Sequence, residues 1–104
     1  MTGMTTDMNT ETKQSAAEIL RAAAAVIEER GKVRDNAQGE RSMARCVTAF
    51  NALTGRELTE IEGWLFMSVL KMARATAGEP HLDDWIDLSG YAALGAECLS
   101  RGNA

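Results

Sequence analysis

Two pairs of charged side chains in the second half of the chain have spacings suited to chemistry. Lys71 and Arg74 stand three residues apart, as do Asp84 and Asp87, so each pair projects from a single helical face. They are rooted in the apolar stretches WLFMSVLKMARA and LDDWIDLSGYAAL, where a charge must be paired, hydrated or bound to something. Neighbouring cations such as Lys71 and Arg74 suit phosphate oxygens. Paired carboxylates such as Asp84 and Asp87 suit a divalent cation, a sugar hydroxyl or an attacking water. Tyr91, one helical turn past Asp87, is placed to stack on a ligand or hydrogen-bond to it, or to sit half-buried with a wet hydroxyl. The competing reading is an ion-pair cluster that closes a helical hairpin, since such networks imitate sites.

The elements that must position these groups read as helices throughout. Ser15-Ala-Ala-Glu18 is a capping-box signature, and the helix it opens carries Ala16, Ile19, Leu20, Ala23, Val26 and Ile27 on one stripe. Gly31 is expected to stop it. The polar, Gly-bounded segment GKVRDNAQGE then reads as a loop of about ten residues holding Lys32, Arg34 and Asp35. A second helix is expected from near Glu40 to Leu53, with Met43, Cys46, Val47 and Phe50 inward. Arg41, Arg45 and Thr48 share its opposite face, which is either solvated or an edge that binds phosphate.

Thr59-Glu-Ile-Glu62 is a second capping box, opening a helix that runs to about Ala77. Ile61, Trp64, Leu65, Phe66, Met67, Val69, Leu70 and Met72 make this helix apolar on all sides, so neighbours are expected to surround it. Gly78-Glu-Pro80 breaks the chain. The last helix, from about His81 to Ser100, offers Trp85, Leu88, Ala92, Ala96 and Leu99 as its core stripe. Beside it runs a mixed stripe of Asp84, Asp87, Tyr91, Leu94 and Cys98. Gly90 and Gly95 suggest close passage of another helix or a bound group. The short turn makes the last two helices antiparallel neighbours and brings the charged pairs together. The lone His81 is expected at a solvent-exposed helix start.

Composition supports an all-α, four-helix bundle-like fold. At 104 residues the chain makes one domain, expected over 13–104 after a disordered tail at 1–12. A net charge of −4 excludes the basic face that duplex nucleic acid or an anionic membrane requires. No stretch approaches the roughly 18 apolar residues of a membrane span. Cys46 and Cys98 lie in apolar helical patterns without metal-type spacing and read as reduced thiols. With a polar N-terminus, this places the protein in the cytoplasm. The chain contains no Gly-rich phosphate loop, no Ser-His-Asp set and no nucleophilic cysteine context, so no particular enzyme class is assigned.

The segments ERGKVRDNAQGERSMARCVTAFNALTG and GWLFMSVLKMARATAGEPHLDDWIDLSGYAALGAE, together about residues 29 to 98, resemble a small phage and prophage family of unknown function. Its members show an Arg/Gly-rich loop, a helix ending in an aromatic-Asn pair, an LK-x-AR helix end and a D-x-x-D helix running into GYAAL. That family in turn looks similar to a phage deoxynucleoside monophosphate kinase and, distantly, to the all-α (MazG-like) nucleoside triphosphate pyrophosphohydrolases. By position, Asp84 and Asp87 match the second carboxylate pair of the pyrophosphohydrolases, which bind Mg2+. Glu57 and Glu60 have the spacing of the first pair but straddle the capping box at Thr59.

The resemblance implies a nucleotide-handling protein of the host cytoplasm. Lys71, Arg74 and Arg41 would hold phosphates, and Asp84, Asp87 and Tyr91 would contact ligand or metal. Phosphotransfer or pyrophosphate hydrolysis would be its chemistry. The alternative is a non-catalytic interaction protein acting on a host protein or defence system. In either case a homo-oligomer is expected, because so short a chain leaves little to cover the third helix.

Overall fold

The computed structural model describes residues 13–34 and 42–102. Four helices follow one another: α1 (Ala16–Arg34), α2 (Ser42–Thr54), α3 (Glu60–Ala75) and α4 (Leu82–Ser100). They pack against one another, and no strand occurs among the described residues. The expected tail at 1–12, Asp35 and Arg41 lie outside the described residues.

Local chemistry sets most of the helix ends. At α1 the Ser15 hydroxyl accepts from the Glu18 N–H at 3.0 Å, and Glu18 accepts from the Ser15 N–H at 2.7 Å. Thr59 and Glu62 repeat the arrangement at α3, at 3.1 and 2.9 Å. One expectation fails nearby: α1 runs through Gly31 to Arg34. A single glycine costs a helix about 1 kcal/mol, too little to end it where Gly31 is buried among neighbours. The loop expected over 31–40 therefore loses its first residues to α1.

The chain leaves α2 at Gly55, whose φ of 73° a side chain would resist. Asn51 then fixes the crossing to α3. Its side chain donates to the Leu58 carbonyl at 2.9 Å and accepts from the Leu58 N–H at 2.8 Å. This double bond to the backbone gives the Asn of the aromatic-Asn pair a structural role. Just beyond, α2 crosses α3 at Gly63, where a Cβ would collide with the Met43 side chain and come within 3.0 Å of Val47 Cγ1.

The buried apolar residues are Ala23, Met43, Val47, Trp64, Leu94 and Cys98, with Ile27, Ile61, Met67 and Tyr91 packed partly against them. α1 crosses α4 with Ile27 over Gly90, and α3 crosses it with Trp64 Cβ over Gly95. A Cβ at either glycine would stand in ordinary contact, 3.7 Å from its nearest neighbour, so neither helix passes close enough to require the glycine.

The buried faces differ from the expected ones. On α4, Trp85, Ala92, Ala96 and Leu99 are exposed, whereas Leu94 and Cys98 of the mixed stripe are buried and Asp84, Asp87 and Tyr91 half-buried. On α3 the partly polar stripe of Glu60, Trp64, Met67 and Lys71 turns inward, and Leu65, Phe66, Val69 and Met72 are exposed. Cys46 and Phe50 of α2, expected inside, are also exposed. The inward stripes carry paired charges at both ends of the α3–α4 seam. Lys71 meets Asp84 and Asp87 at one end, and Glu60 meets Arg101 at 3.3 Å at the other. That register turns the mixed stripes towards each other and the purely apolar ones outward.

Candidate functional site

The turn after α3 is tight enough to bring Lys71, in that helix's last turns, against the first turns of α4. Lys71 Nζ lies 2.8 Å from Asp87 Oδ2 and 3.8 Å from Asp84 Oδ1. The Lys71 and Asp84 side chains are only 12% and 14% exposed, and Asp87 29%, so water screens the cluster weakly. The hydrogen bond that Lys71 donates to Asp87, reinforced by the carboxylate's charge, holds the Lys71 ammonium above its usual pKa despite the opposing effect of burial.

Other expected members fall elsewhere. Arg74 is exposed and forms no ion pair with the described residues. Arg34 is the last residue of α1, and Arg41 lies outside the described residues. His81 is the exposed N-cap of α4, as expected, and its side chain makes no capping bond.

The carboxylate pair resembles a metal site in spacing, but its surroundings differ. Lys71 already supplies a cation between Asp84 and Asp87, and a magnesium ion would have to displace it. Among the described residues no cluster of three or more His, Cys, Asp or Glu could hold a metal ion. The residues present therefore fit an ammonium–carboxylate cluster better than a magnesium centre.

Asp87 also belongs to a second feature. A cavity of about 260 Å³ opens among all four helices, and Asp87, Tyr91 and Trp64 line it together with Arg30, Ser42 and Met67. The Trp64 and Tyr91 rings stack with centroids 5.8 Å apart and planes inclined by 29°. Asp87, fixed by Lys71 through Oδ2, has its other carboxylate oxygen outside that bond. The wall therefore combines a stacked aromatic pair, a carboxylate held in place and, from an exposed position, the side chain of Arg30.

Arg30 was not singled out by the sequence reading. Its signal was its position, seven residues past Ala23 and three past Ile27, which puts an exposed cation at the edge of the inward stripe of α1. Cys98, in contrast, is wholly buried beneath the seam, and its desolvation pushes the thiol pKa up, away from nucleophilic use. Both cysteines are free thiols, Cys46 exposed and Cys98 buried. No described helix is long and apolar enough to cross a membrane.

The sequence profile of a family described as a domain of unknown function (DUF6378) matches residues 18–99. The chain belongs to that family, and the match takes in all four helices and every cavity residue named above. No curated protein and no solved structure matches it.

Proposed function

We propose that this chain is a phage-type protein that binds a nucleotide in the cavity among its four helices. The supporting observation is the make-up of the wall: the stacked Trp64–Tyr91 pair, Asp87 steadied by Lys71, and Arg30. In this reading the base lies against the aromatic pair and Asp87 accepts a hydrogen bond from a sugar hydroxyl. The phosphates leave the cavity towards Arg30, with Arg74 and Arg41 as further cations. A volume of about 260 Å³ suits a base and sugar with the phosphates outside. Any Mg2+ would arrive on the nucleotide's own phosphates, and phosphotransfer or pyrophosphate hydrolysis is the chemistry this admits. The setting is the cytoplasm of the host cell.

The test is a thermal-shift screen against nucleoside mono-, di- and triphosphates, each with and without magnesium. One class should raise Tm by about 5 °C or more at a hundredfold excess over Kd. Arg30→Ala should abolish that shift while leaving the unliganded Tm in place. A shift that survives both Arg30→Ala and Asp87→Asn would sink the assignment.

A second reading is a non-catalytic protein that acts on a host protein or defence system. It is favoured by the Lys71 ammonium being already satisfied within the chain and by the exposed Phe66, Leu53 and Trp85. Its mark in the same screen is the absence of any shift in the unaltered protein.

A further inference from the structure

We infer that the face formed by α2 and α3, on the side away from α4, is where a second copy of this chain docks, giving a two-fold dimer. Leu65, Phe66, Val69 and Met72 form a ridge along one flank of α3, and Phe66 is 69% exposed. Phe50 of α2 lines the groove beside this ridge, and Leu53, three residues on along the same helical face, is 86% exposed. Between the ridge and α2 runs a groove of about 510 Å³, walled by Phe50, Leu58, Leu65, Phe66 and Val69.

The area of this surface and its lack of charge point to a second copy as the occupant. An aromatic side chain offers about 150–250 Å², and the exposed fractions of the ridge and α2 residues bring the patch to roughly 600 Å². That is the upper end of what a monomer leaves to water and close to the ~800 Å² each partner gives a standard interface. Glu62 is the one carboxylate lining the groove among the described residues, and its Oε1 is already engaged by the Thr59 N–H at 2.9 Å. A charged partner finds nothing there to pair with, whereas a two-fold copy brings an equally uncharged surface and no like-charge collision. A ridge beside a groove on one face is self-complementary, each ridge entering the other's groove. The chain's own remaining segments, MTGMTTDMNTET and DNAQGER, are polar and offer no contiguous apolar stretch to fill it.

Sedimentation of the full chain over about two decades of micromolar concentration tests this. The expected result is a dimer, with Phe66→Glu monomeric at unchanged helical circular dichroism and association weakened by at least about 100-fold. Trp85→Glu, on the exposed flank of α4, should leave the dimer intact. Should Phe66→Glu lose its helical signal, Val69→Ser puts the same question, with about tenfold weakening expected. The inference is overturned by a monomer throughout, by an assembly that survives Phe66→Glu, or by Trp85→Glu dissociating it equally. A monomer that associates only after removal of residues 1–12 would identify the tail as the occupant and overturn it as well. Neither Phe66 nor Val69 lines the ligand cavity, so failure here leaves the nucleotide reading standing.

Discussion

The two flanks of α3 are built from the same helix to opposite ends. Towards α4 it presents Glu60, Trp64, Met67 and Lys71, and each has a partner within the chain. Glu60 meets Arg101, Trp64 stacks on Tyr91, Met67 packs against the core, and Lys71 meets Asp84 and Asp87. On the other flank Leu65, Phe66, Val69 and Met72 are exposed, beside the close crossing of α2 at Gly63. A seam with charges at both ends has a single register, because sliding it by one turn would separate every pair at once. An apolar flank has no such constraint within its own chain. Its favourable energy is realised only by further burial, and that makes it the surface through which the molecule meets others.

The strongest way to break this comparison is to truncate one large side chain on each flank. Trp64→Ala removes a buried ring that stacks on Tyr91, and it should cost about 3–5 kcal/mol in urea denaturation at any protein concentration. Out of a total stability of about 5–15 kcal/mol, that leaves a marginal fold. Phe66→Ala should change the stability of the dilute protein by no more than about 0.5 kcal/mol. Its effect should appear instead as a loss of the concentration dependence of Tm. Equal losses at both positions in dilute protein would erase the distinction between a finished and an unfinished flank.

The next effect is smaller and confined to the seam. Lys71→Met keeps the packing of the stem but removes the ammonium, leaving Asp84 and Asp87 facing each other with little water to screen them. A loss of about 1–3 kcal/mol at neutral pH is expected. The pH dependence follows from the raised Lys71 pKa. A group whose folded pKa lies above its unfolded value of 10.5 contributes fully below 10.5, and the contribution fades as pH rises through the higher folded value. The stability gap between wild type and Lys71→Met should therefore stay level from neutral pH to about 10 and close only above that. Urea melts of both proteins across this range measure it, and a gap already closing between pH 7 and 9 would contradict the pairing.

Features set by nearby residues were readable in the sequence, and those set by distant partners were not. The helices, both capping boxes and the meeting of Lys71 with Asp84 and Asp87 all follow from spacing, because each depends on residues within a turn or across one short hairpin. Which face of α4 is buried does not. Trp85, Ala92 and Leu99 make a more apolar stripe than Asp84, Asp87, Leu94 and Cys98, yet the second stripe is the inner one. The count of apolar side chains on one helix carries no information about what its neighbour presents, here Glu60 and Lys71 with Trp64 and Met67 between them. Arg30 and the cavity were hidden for a related reason, since four separate helices contribute to that wall. The candidate site was legible only as a charged cluster. Lys71 and the aspartates close the hairpin with the same atoms that a ligand would use, so spacing alone could not separate the two roles.

The smallest effect, and a sharper probe of the comparison, concerns the capping box that starts α3. Thr59 accepts from the Glu62 N–H at 3.1 Å, and Glu62 returns the bond to the Thr59 N–H at 2.9 Å. Glu62 also lines the apolar groove, and the cap ties its Oε1 to the Thr59 N–H at the helix end. Thr59→Ala should cost about 1 kcal/mol of stability, the ordinary worth of an N-cap. The equivalent Ser15→Ala at the start of α1 has the same bonds to lose, but it stands at an exposed helix end far from either flank. Fraying there remains local and should cost less. Thr59→Ala keeps the backbone N–H that holds the Glu62 carboxylate but loses the hydroxyl that fixes the first turn; fraying of that turn loosens a carboxylate beside the groove, which opposes association. The expected pattern is a loss of folding stability in both variants, with dimer dissociation raised only in Thr59→Ala. Equal association in the two, measured by sedimentation, would mean that the groove edge lined by Glu62 takes no part in the interface.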